Sequence, residues 1–255
     1  MCGEPVASDA ANVCGERVAS DAANVFNSPS AFHLPPFPMI VVIDGPAGAG
    51  KSSAARTLAR RLDFRFLDTG AMYRAVALAA VRSGHDWAQP QALVELAQRL
   101  RIELAADRVL LDGEDVTREI RTVAITEVTH HAADNPGVRQ RLVELQREAA
   151  HGQNVVTEGR DQGTVVFPRA ECKFFLTASP AERARRRMHD LAARGERLPF
   201  EEVLAAQNLR DQRDRSRAVG PLVVASDAIE ILTDGLQPDE VVSRLETIVR
   251  ERMRK

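Results

Sequence analysis

A glycine-rich motif that ends in lysine and serine is the sequence feature that most restricts how this chain can fold. The segment GPAGAGKS, residues 45–52, matches the pattern G-x-x-x-x-G-K-[ST]. A continuous apolar run, residues 39–44, precedes it and is typical of a strand buried on both faces. A helical pattern over residues 51–62 follows it. Because a phosphate-binding loop needs this strand–loop–helix context, the sequence predicts an α/β fold with a nucleotide site beside its first strand.

The residues of the loop have distinct expected roles. Its glycines let backbone N–H groups turn toward phosphate oxygens, and the helix N-terminus adds partial positive charge. Lys51 is expected to bridge the β- and γ-phosphates of ATP, and the Ser52 hydroxyl to bind Mg²⁺. The predicted nucleotide-binding residues are Gly45, Pro46, Ala47, Gly48, Ala49, Gly50, Lys51, Ser52 and Ser53. The alternative is a chance glycine-rich turn, which the flanking strand and helix disfavour.

The rest of the chain alternates short apolar runs with amphipathic helical patterns. Further strands are predicted at residues 64–68, 154–159, 171–178 and 228–233, and further helices at residues 71–83 and 238–254. Alternation of strands and helices is typical of a parallel sheet covered on both faces. We therefore predict an α/β fold in which a five-stranded parallel sheet is flanked by helices.

Two stretches interrupt this alternation. Residues 101–119 contain two alternating apolar runs around a turn, which predicts a small antiparallel insert. Residues 180–199 form a charged helical stretch with Arg183, Arg185, Arg186 and Arg187, and its apolar face is too narrow for burial. We interpret residues 69–150, approximately, as an acceptor-binding insert and residues 180–199 as a mobile, arginine-rich lid.

The first 38 residues differ from the remainder. Residues 2–13, CGEPVASDAANV, recur with one change as residues 14–25, and a proline-rich stretch follows. Two short copies are too few for a solenoid. We predict that residues 1–38 form a flexible extension and that residues 39–255 form the functional domain.

Composition disfavours several classes of partner. The net charge of −2 argues against a protein that grips a nucleic acid polymer. No apolar run approaches the roughly 18 residues of a membrane span, and no signal peptide opens the chain. The three cysteines are too widely spaced for a metal pattern or a disulfide framework. We expect a cytoplasmic protein whose partners are small molecules rather than nucleic acid or membrane.

A second anion site is predicted where the second strand leads into a helix. Thr69 and Gly70 can cap that helix, and Arg74 lies about one turn inside it, in reach of the same anion. The alternative is an ordinary capped helix with a solvated arginine.

Charged side chains also follow the third strand of the predicted sheet. Glu158, Arg160 and Asp161 lie at its carboxyl end, the edge at which open parallel sheets bind ligands. Glu158 is placed like an acid that orients Mg²⁺, so Ser52 and Glu158 are the predicted metal ligands. The alternative is that these residues belong to a buried structural ion pair, since structural networks also hold such residues.

A dense run of charges, RDQRDRSR, ends a later helix. Helical spacing puts Arg210, Asp214 and Arg217 on one face, where the arginines can reach phosphates and Asp214 can accept from a ribose hydroxyl. Surface salt bridges are the alternative. Several arginines near one phosphate-binding loop suit phosphoryl transfer, whose transition state needs charge neutralisation more than covalent chemistry.

Taken in order, these segments resemble the bacterial cytidylate kinases of the nucleoside monophosphate kinase group. The likeness runs from Met39 to the C-terminus and rests on GPAGAGKS, LDTGAMYR, LDGEDVTREIR, EGRDQGTVVFP and RDQRDRSRAVGPL. The resemblance implies a monomeric, cytoplasmic enzyme that uses ATP and Mg²⁺ to phosphorylate CMP or dCMP.

The resemblance also implies roles for single residues. The acceptor phosphate would be held by Thr69, Arg74 and Arg160, and cytosine would be read by Arg139 and Asp161. Arg210 and Asp214 would contact the ribose, and Arg217 a phosphate. Lys51, Arg186, Arg187 and Arg217 would stabilise the transferring group.

One position departs from the family pattern and bears on base selection. Family members commonly have a serine that touches the base nine residues before the counterpart of Arg139, whereas this chain has His130 there, with Thr129 beside it. Two other functions stay open. One is a related kinase that acts on UMP, shikimate or a similar acceptor. The other is a nucleotide-dependent switch without acceptor turnover.

Overall fold

The computed structural model describes residues 38–105, 108–193 and 195–254. The predicted extension, residues 1–38, therefore lies outside the described residues apart from Pro38. In chain order the strands are β1 (Ile40–Asp44), β2 (Arg65–Asp68), β3 (Ile102–Ala105), β4 (Arg108–Leu111), β5 (Glu114–Asp115), β6 (Val155–Gly159), β7 (Cys172–Thr177) and β8 (Ile229–Leu232). The helices are α1 (Lys51–Leu62), α2 (Thr69–Arg82), α3 (Pro90–Arg99), α4 (Val123–Asp134), α5 (Pro136–Ala150), α6 (Pro180–Ala192), α7 (Phe200–Ser216) and α8 (Pro238–Met253). None of these described helices is long and apolar enough to cross a membrane.

The main sheet confirms the predicted architecture. Its five strands are all parallel and lie in the order β2-β6-β1-β7-β8. Every predicted strand is present, and its ends differ from the prediction by no more than one residue. β1 lies at the centre, and its last residue, Asp44, is aligned with Gly159 of β6. The phosphate-binding loop and the segment after β6 therefore leave the sheet side by side.

Alternate residues of β1 face two different cores, as expected for a strand covered on both faces. Val41 and Ile43 pack with residues of α1 and α8. Val42 instead packs with Val166 and Phe167, which follow β6. All three β1 residues are fully buried. This burial fixes the position from which the phosphate-binding loop starts.

The antiparallel insert is present as the three-stranded sheet β3-β4-β5. Asp112 and Gly113, between β4 and β5, have φ of 51° and 88°, which suits a two-residue hairpin turn. Val109 and Leu111 pack with buried residues of helices α2 to α5, so this part of the chain has a core of its own.

The prediction that residues 180–199 lack an apolar face is wrong. Ala184 and Leu191 of α6 are buried against Val203 of α7, with Met188 partly buried beside them. Positions 184, 188 and 191 share one side of a helix, because residues three and four apart are neighbours. Because arginines surround these small or flexible residues in the sequence, the buried side of α6 was not recognised from the sequence.

Candidate active site

The phosphate-binding loop depends on glycine at its first position. Gly45 has φ of 145°, and a Cβ there would lie 2.0 Å from the carbonyl oxygen of Leu176 in β7. Gly50, at the N-cap of α1, has φ of 87°, which is left-handed backbone that glycine favours. The loop can therefore wrap closely beside the sheet, with the N-terminus of α1 at its end.

Lys51 is buried in the first turn of α1. Its Nζ donates to the carbonyl oxygen of Pro46 at 2.7 Å, so the side chain folds back over the loop. Burial, followed by the positive charge of Arg160, lowers the pKa of Lys51 to about 7. An anion bound in the loop would raise this pKa again and restore the positive charge.

Ser52 and Glu158 bring hard oxygen ligands together beside the loop. The Ser52 hydroxyl donates to Glu158 Oε1 at 3.0 Å, and Glu158 is buried. No described lysine or arginine forms an ion pair with this carboxylate. The described residues contain no group of three or more His, Cys, Asp or Glu side chains placed to hold a metal. One hydroxyl and one carboxylate nevertheless fit Mg²⁺, which takes few protein ligands and completes its shell with water and phosphate.

The start of α2 differs from the prediction. The helix begins at Thr69, and Asp68 caps it by accepting from the backbone N–H of Ala71 at 3.0 Å. The buried Thr69 hydroxyl instead donates to the carbonyl oxygen of Glu158 at 2.7 Å. Thr69 therefore ties α2 to the end of β6 rather than capping the helix.

Asp214 organises a group of arginines at the end of α7. Arg160 Nε donates to one carboxylate oxygen of Asp214 at 2.6 Å, and Arg217 lies 2.6 Å from the other. Burial alone would raise the pKa of Asp214, but Arg160 and Arg217 outweigh it and hold the pKa below its ordinary value. Arg217 also donates to Asp134 of α4 at 2.6 Å. This contact ties α7 to the insert.

Arg210 and Arg74 complete the arginine group, which comprises Arg74, Arg160, Arg210 and Arg217. Arg210 is exposed and forms no ion pair with the described residues. Although the residue as a whole is exposed, desolvation of its guanidinium, followed by the charge of Arg160, lowers the pKa of Arg210 to about 10. The guanidinium of Arg74 covers Gly70 at the start of α2, 3.5 Å from where a Cβ would lie. Asp214 is surrounded by three of these arginines, and the charge of Arg74 acts on Arg210, so positive charge is in excess and favours binding of an anion.

The two predicted base-reading residues contact each other. Arg139 donates to Asp161, and both side chains are almost fully buried. Arg139 also donates to the carbonyl oxygen of Ala133 at 3.0 Å and lies over the ring of Tyr73, 5.4 Å from its centroid. Arg160 pairs with Asp214, so both charged residues that follow Gly159 form ion pairs in the ligand-free structure, and the alternative interpretation as structural ion pairs is not contradicted.

Helix α6 also contacts the phosphate-binding loop. Arg183 donates to the carbonyl oxygen of Ala47 at 3.0 Å and forms a buried ion pair with Asp211 of α7 at 2.7 Å. Arg186 donates to the hydroxyl and carbonyl oxygens of Thr233, at 2.9 and 2.7 Å, and lies 4.0 Å from a Cβ built on Gly50. Arg187 is half-buried and forms no hydrogen bond or ion pair with the described residues.

His130, the residue that departs from the family pattern, packs within a group of aromatic rings. The His130 ring is 4.1 Å from the ring of His131, which stacks on Trp87. His130 Nδ1 lies 2.7 Å from the carbonyl oxygen of Glu127. The Thr129 hydroxyl donates to its own helix, to the carbonyl oxygen of Ile125, at 2.6 Å.

Sequence reasoning did not single out four residues that contact this site: Asp44, Tyr73, Asp134 and Arg183. Asp44 had one signal, a carboxylate that ends an otherwise apolar strand directly before the loop. Arg183 looked like one member of a charged run. Asp134 gave no signal, because its contact with Arg217 joins positions 83 residues apart.

Comparison with known proteins gives a consistent result. The family model described as "Cytidylate kinase" matches residues 41–251. Cytidylate kinase of Rhodopirellula baltica is 54% identical over 213 residues, covering 84% of this chain and 93% of that protein. Cytidylate kinase of Pelotomaculum thermopropionicum is 53% identical over 210 residues, covering 80% and 92%. Among solved structures, shikimate kinase of Bacteroides thetaiotaomicron aligns over 83% of this chain and 98% of its own at 18% identity, with a TM-score of 0.44.

Proposed function

The chain belongs to the cytidylate kinase family, and we propose on that basis that it transfers the γ-phosphoryl group of ATP to CMP or dCMP. A phosphate oxygen of the acceptor attacks the γ-phosphorus, the bond to the β–γ bridging oxygen breaks, and ADP and CDP or dCDP leave. One observation carries the proposal. The phosphate-binding loop lies beside the segment that follows β6. In that segment Arg160 belongs to the arginine group, and Asp161 forms the buried pair with Arg139.

Cytosine reading is the proposed role of the Arg139–Asp161 pair. The Asp161 carboxylate accepts from the N4 amino group, and Arg139 donates to the acceptor edge of the base. Uracil presents an oxygen where cytosine has N4, so Asp161 would face an acceptor. The mismatch costs about 1–3 kcal/mol. His130 lies on α4, which also carries the Ala133 carbonyl that Arg139 contacts, and it would modulate this selection.

The arginine group is proposed to hold the acceptor phosphate and ribose. Arg74, Arg160 and the N-terminus of α2 at Thr69 face the phosphate, while Arg210 and Asp214 contact the ribose. Arg217 and the lid residues Arg186 and Arg187 stabilise the transferring group, together with Lys51. No strong base is needed, because a phosphate oxygen is already nucleophilic.

Ser52 and Glu158 are the proposed holders of Mg²⁺, supported by their 3.0 Å contact. When bound there, the ion supplies charge neutralisation at the β- and γ-phosphate oxygens. We further propose a domain over residues 39–255, with an acceptor-binding insert at about 69–150 and a lid at about 180–199. We also propose a cytoplasmic monomer that binds neither nucleic acid polymer nor membrane. The net charge of −2 argues against a nucleic acid polymer as partner.

An assay of ADP release tests the proposal. Mg·ATP is supplied with CMP, dCMP, UMP, AMP or no acceptor, for the wild type and for Asp161→Ala. We expect turnover with CMP and dCMP, a CMP preference over UMP of about ten- to a hundredfold, and loss of that preference in the variant. Asp227→Ala is the matched control, because Asp227 is an exposed acid that pairs with Lys173. Equal ADP release without any acceptor would reject the proposal.

A further inference from the structure

A buried carboxylate joins the phosphate-binding strand to the segment that carries the acceptor residues. Asp44 is the last residue of β1, directly before Gly45, and is 4% exposed. Its Oδ1 accepts from the backbone N–H of Gln162 at 3.0 Å, and its Oδ2 accepts from the backbone N–H of Gly163 at 2.8 Å. Both donors lie at the start of a π-helical turn, Gln162–Val166. One side chain therefore holds two consecutive amides of another segment.

The held amides directly follow Arg160 and Asp161. Asp161 is the N-cap of the π-helical turn, and its carbonyl oxygen accepts from the N–H of Val165 at 2.9 Å. The direction in which Asp161 leaves the backbone therefore depends on how this turn sits against β1. A Cβ built on Gly163 would lie 3.2 Å from Lys173 Cδ and 3.4 Å from Asp44 Oδ2, so the turn packs closely against β1 and β7.

Asp44 forms no ion pair with another described residue, although the charge of Lys51 acts on it. The nearby Lys51 donates to Pro46 instead, and the two amide donors are the hydrogen-bond partners of the Asp44 carboxylate. A buried carboxylate without an ion-pair partner is expensive unless its hydrogen bonds repay the cost. Charge-assisted hydrogen bonds are also the stronger kind, so this pair makes a stiff connection.

We propose that Asp44 is a positioning residue that fixes the segment 160–163 against the phosphate-binding strand and thereby sets the geometry of the acceptor site. The inference rests on the proposed function for its kinetic consequence. Asp44 touches neither substrate in this scheme and acts through the backbone of Gln162 and Gly163. Its loss should therefore affect the acceptor far more than the donor.

Asp44→Asn is the informative variant, because it keeps the side-chain volume while one carboxylate oxygen becomes an amide group that cannot accept. Hydrogen exchange of the peptide that spans residues 160–164 should become about tenfold faster in the ligand-free variant, the factor expected for losing one hydrogen bond to a charged group. The KM for CMP should rise by a similar factor, with the KM for ATP changed less than about twofold.

Asn154→Ala is the matched control. Asn154 Oδ1 accepts from the backbone N–H of Met39 at 2.8 Å, so it ties β1 to β6 at the end of the sheet opposite to Asp44. This variant should lower the melting temperature while leaving the KM for CMP unchanged.

Unchanged exchange of residues 160–164 in Asp44→Asn would overturn the inference. So would equal rises in the KM for CMP and for ATP, or a rise in the KM for CMP in Asn154→Ala, because each indicates general loosening of the sheet. If the wild type does not phosphorylate CMP, the proposed function fails, and the exchange measurement still decides whether Asp44 holds the segment.

Discussion

Lys51 is a buried cation whose protonation is expected to couple to nucleotide binding. Burial and Arg160 lower its pKa to about 7 in the ligand-free protein, and bound β- and γ-phosphates raise that pKa again. We therefore expect proton uptake when ATP binds at about pH 8, where free Lys51 is largely neutral. Calorimetric titration in two buffers of different ionisation enthalpy measures the uptake. Lys51→Met should lose it, and the same uptake in that variant would contradict the assignment.

Gly45 is a residue at which backbone geometry and packing both exclude a side chain. In Gly45→Ala the new Cβ would meet the Leu176 carbonyl oxygen, 2.0 Å away, on backbone with φ of 145°. We expect a loss of about 3 kcal/mol or more in the free energy of unfolding, measured by urea denaturation.

Gly84→Ala separates the two causes. Gly84 also has positive φ, 64°, but nothing lies within 4 Å of its added Cβ. Backbone strain alone should cost about 1–2 kcal/mol there. Equal losses in the two variants would show that the contact with Leu176 contributes nothing.

At the scale of elements, the loop after α2 and the helix α4 meet through aromatic rings. Trp87, the only tryptophan of the chain, stacks on His131 with centroids 4.6 Å apart and planes inclined by 14°. His85 meets Trp87 edge-on at 5.4 Å, and His130 packs against His131. Residues 69–150 therefore carry a single tryptophan, which contacts titratable histidines.

The fluorescence of Trp87 should report the protonation of His131. Burial, followed by the charge on His130, lowers the pKa of His131 below its ordinary 6.5, with His85 adding to the effect and Asp134 opposing it. The unfolded chain then binds more protons, so the free energy of unfolding should fall as pH drops below about 6.5. A fluorescence titration should have its midpoint below that pH.

His131→Phe tests this assignment, because it keeps an aromatic ring under the indole and removes the titrating group. The fluorescence transition should disappear in this variant. A midpoint at or above about pH 6.5 in the wild type would contradict the lowered pKa.

Element positions were predictable where burial imposes one pattern. Strands buried on both faces appear as continuous apolar runs, and each strand of the main sheet lies within one residue of its prediction. The start of α2 was not predictable, since Asp68 and Thr69 are both good capping residues and only their three-dimensional partners distinguish them. The buried side of α6 was missed because Ala184 and Met188 carry little hydrophobic signal among arginines.

At the scale of the whole molecule, the motifs supplied the residues of the site but not their partners. Arg160 was expected to hold phosphate, and its contact with Asp214 joins positions 54 residues apart. Arg217 reaches Asp134 across 83 residues. Such contacts arise only when the chain folds, because spacing along a sequence constrains neighbours within one helix or strand. The ligand-free pairing of Arg139 with Asp161 is of the same kind.

The ligand-free protein has a cluster of like charges, and a decrease in the repulsion between them should be measurable as a gain in stability. Arg74, Arg160, Arg210 and Arg217 lie near one another, and Arg210 forms no ion pair with the described residues. A bound anion offsets their repulsion, so CMP should raise the melting temperature without ATP. The gain in stability should be about 2.7 kcal/mol at one hundred times its Kd.

Arg210→Met removes one cation from this group and should therefore do two opposite things. It should raise the melting temperature of the ligand-free protein, since the repulsion falls, and reduce the additional rise that CMP produces. Arg215→Met is the control, because Arg215 is an exposed arginine of the same helix outside the group. Thermal denaturation with and without CMP measures both effects. The expectation would be contradicted if the ligand-free melting temperature of Arg210→Met were unchanged and CMP raised it as much as in the wild type. Arg210 would then neither destabilise the ligand-free protein nor bind the anion.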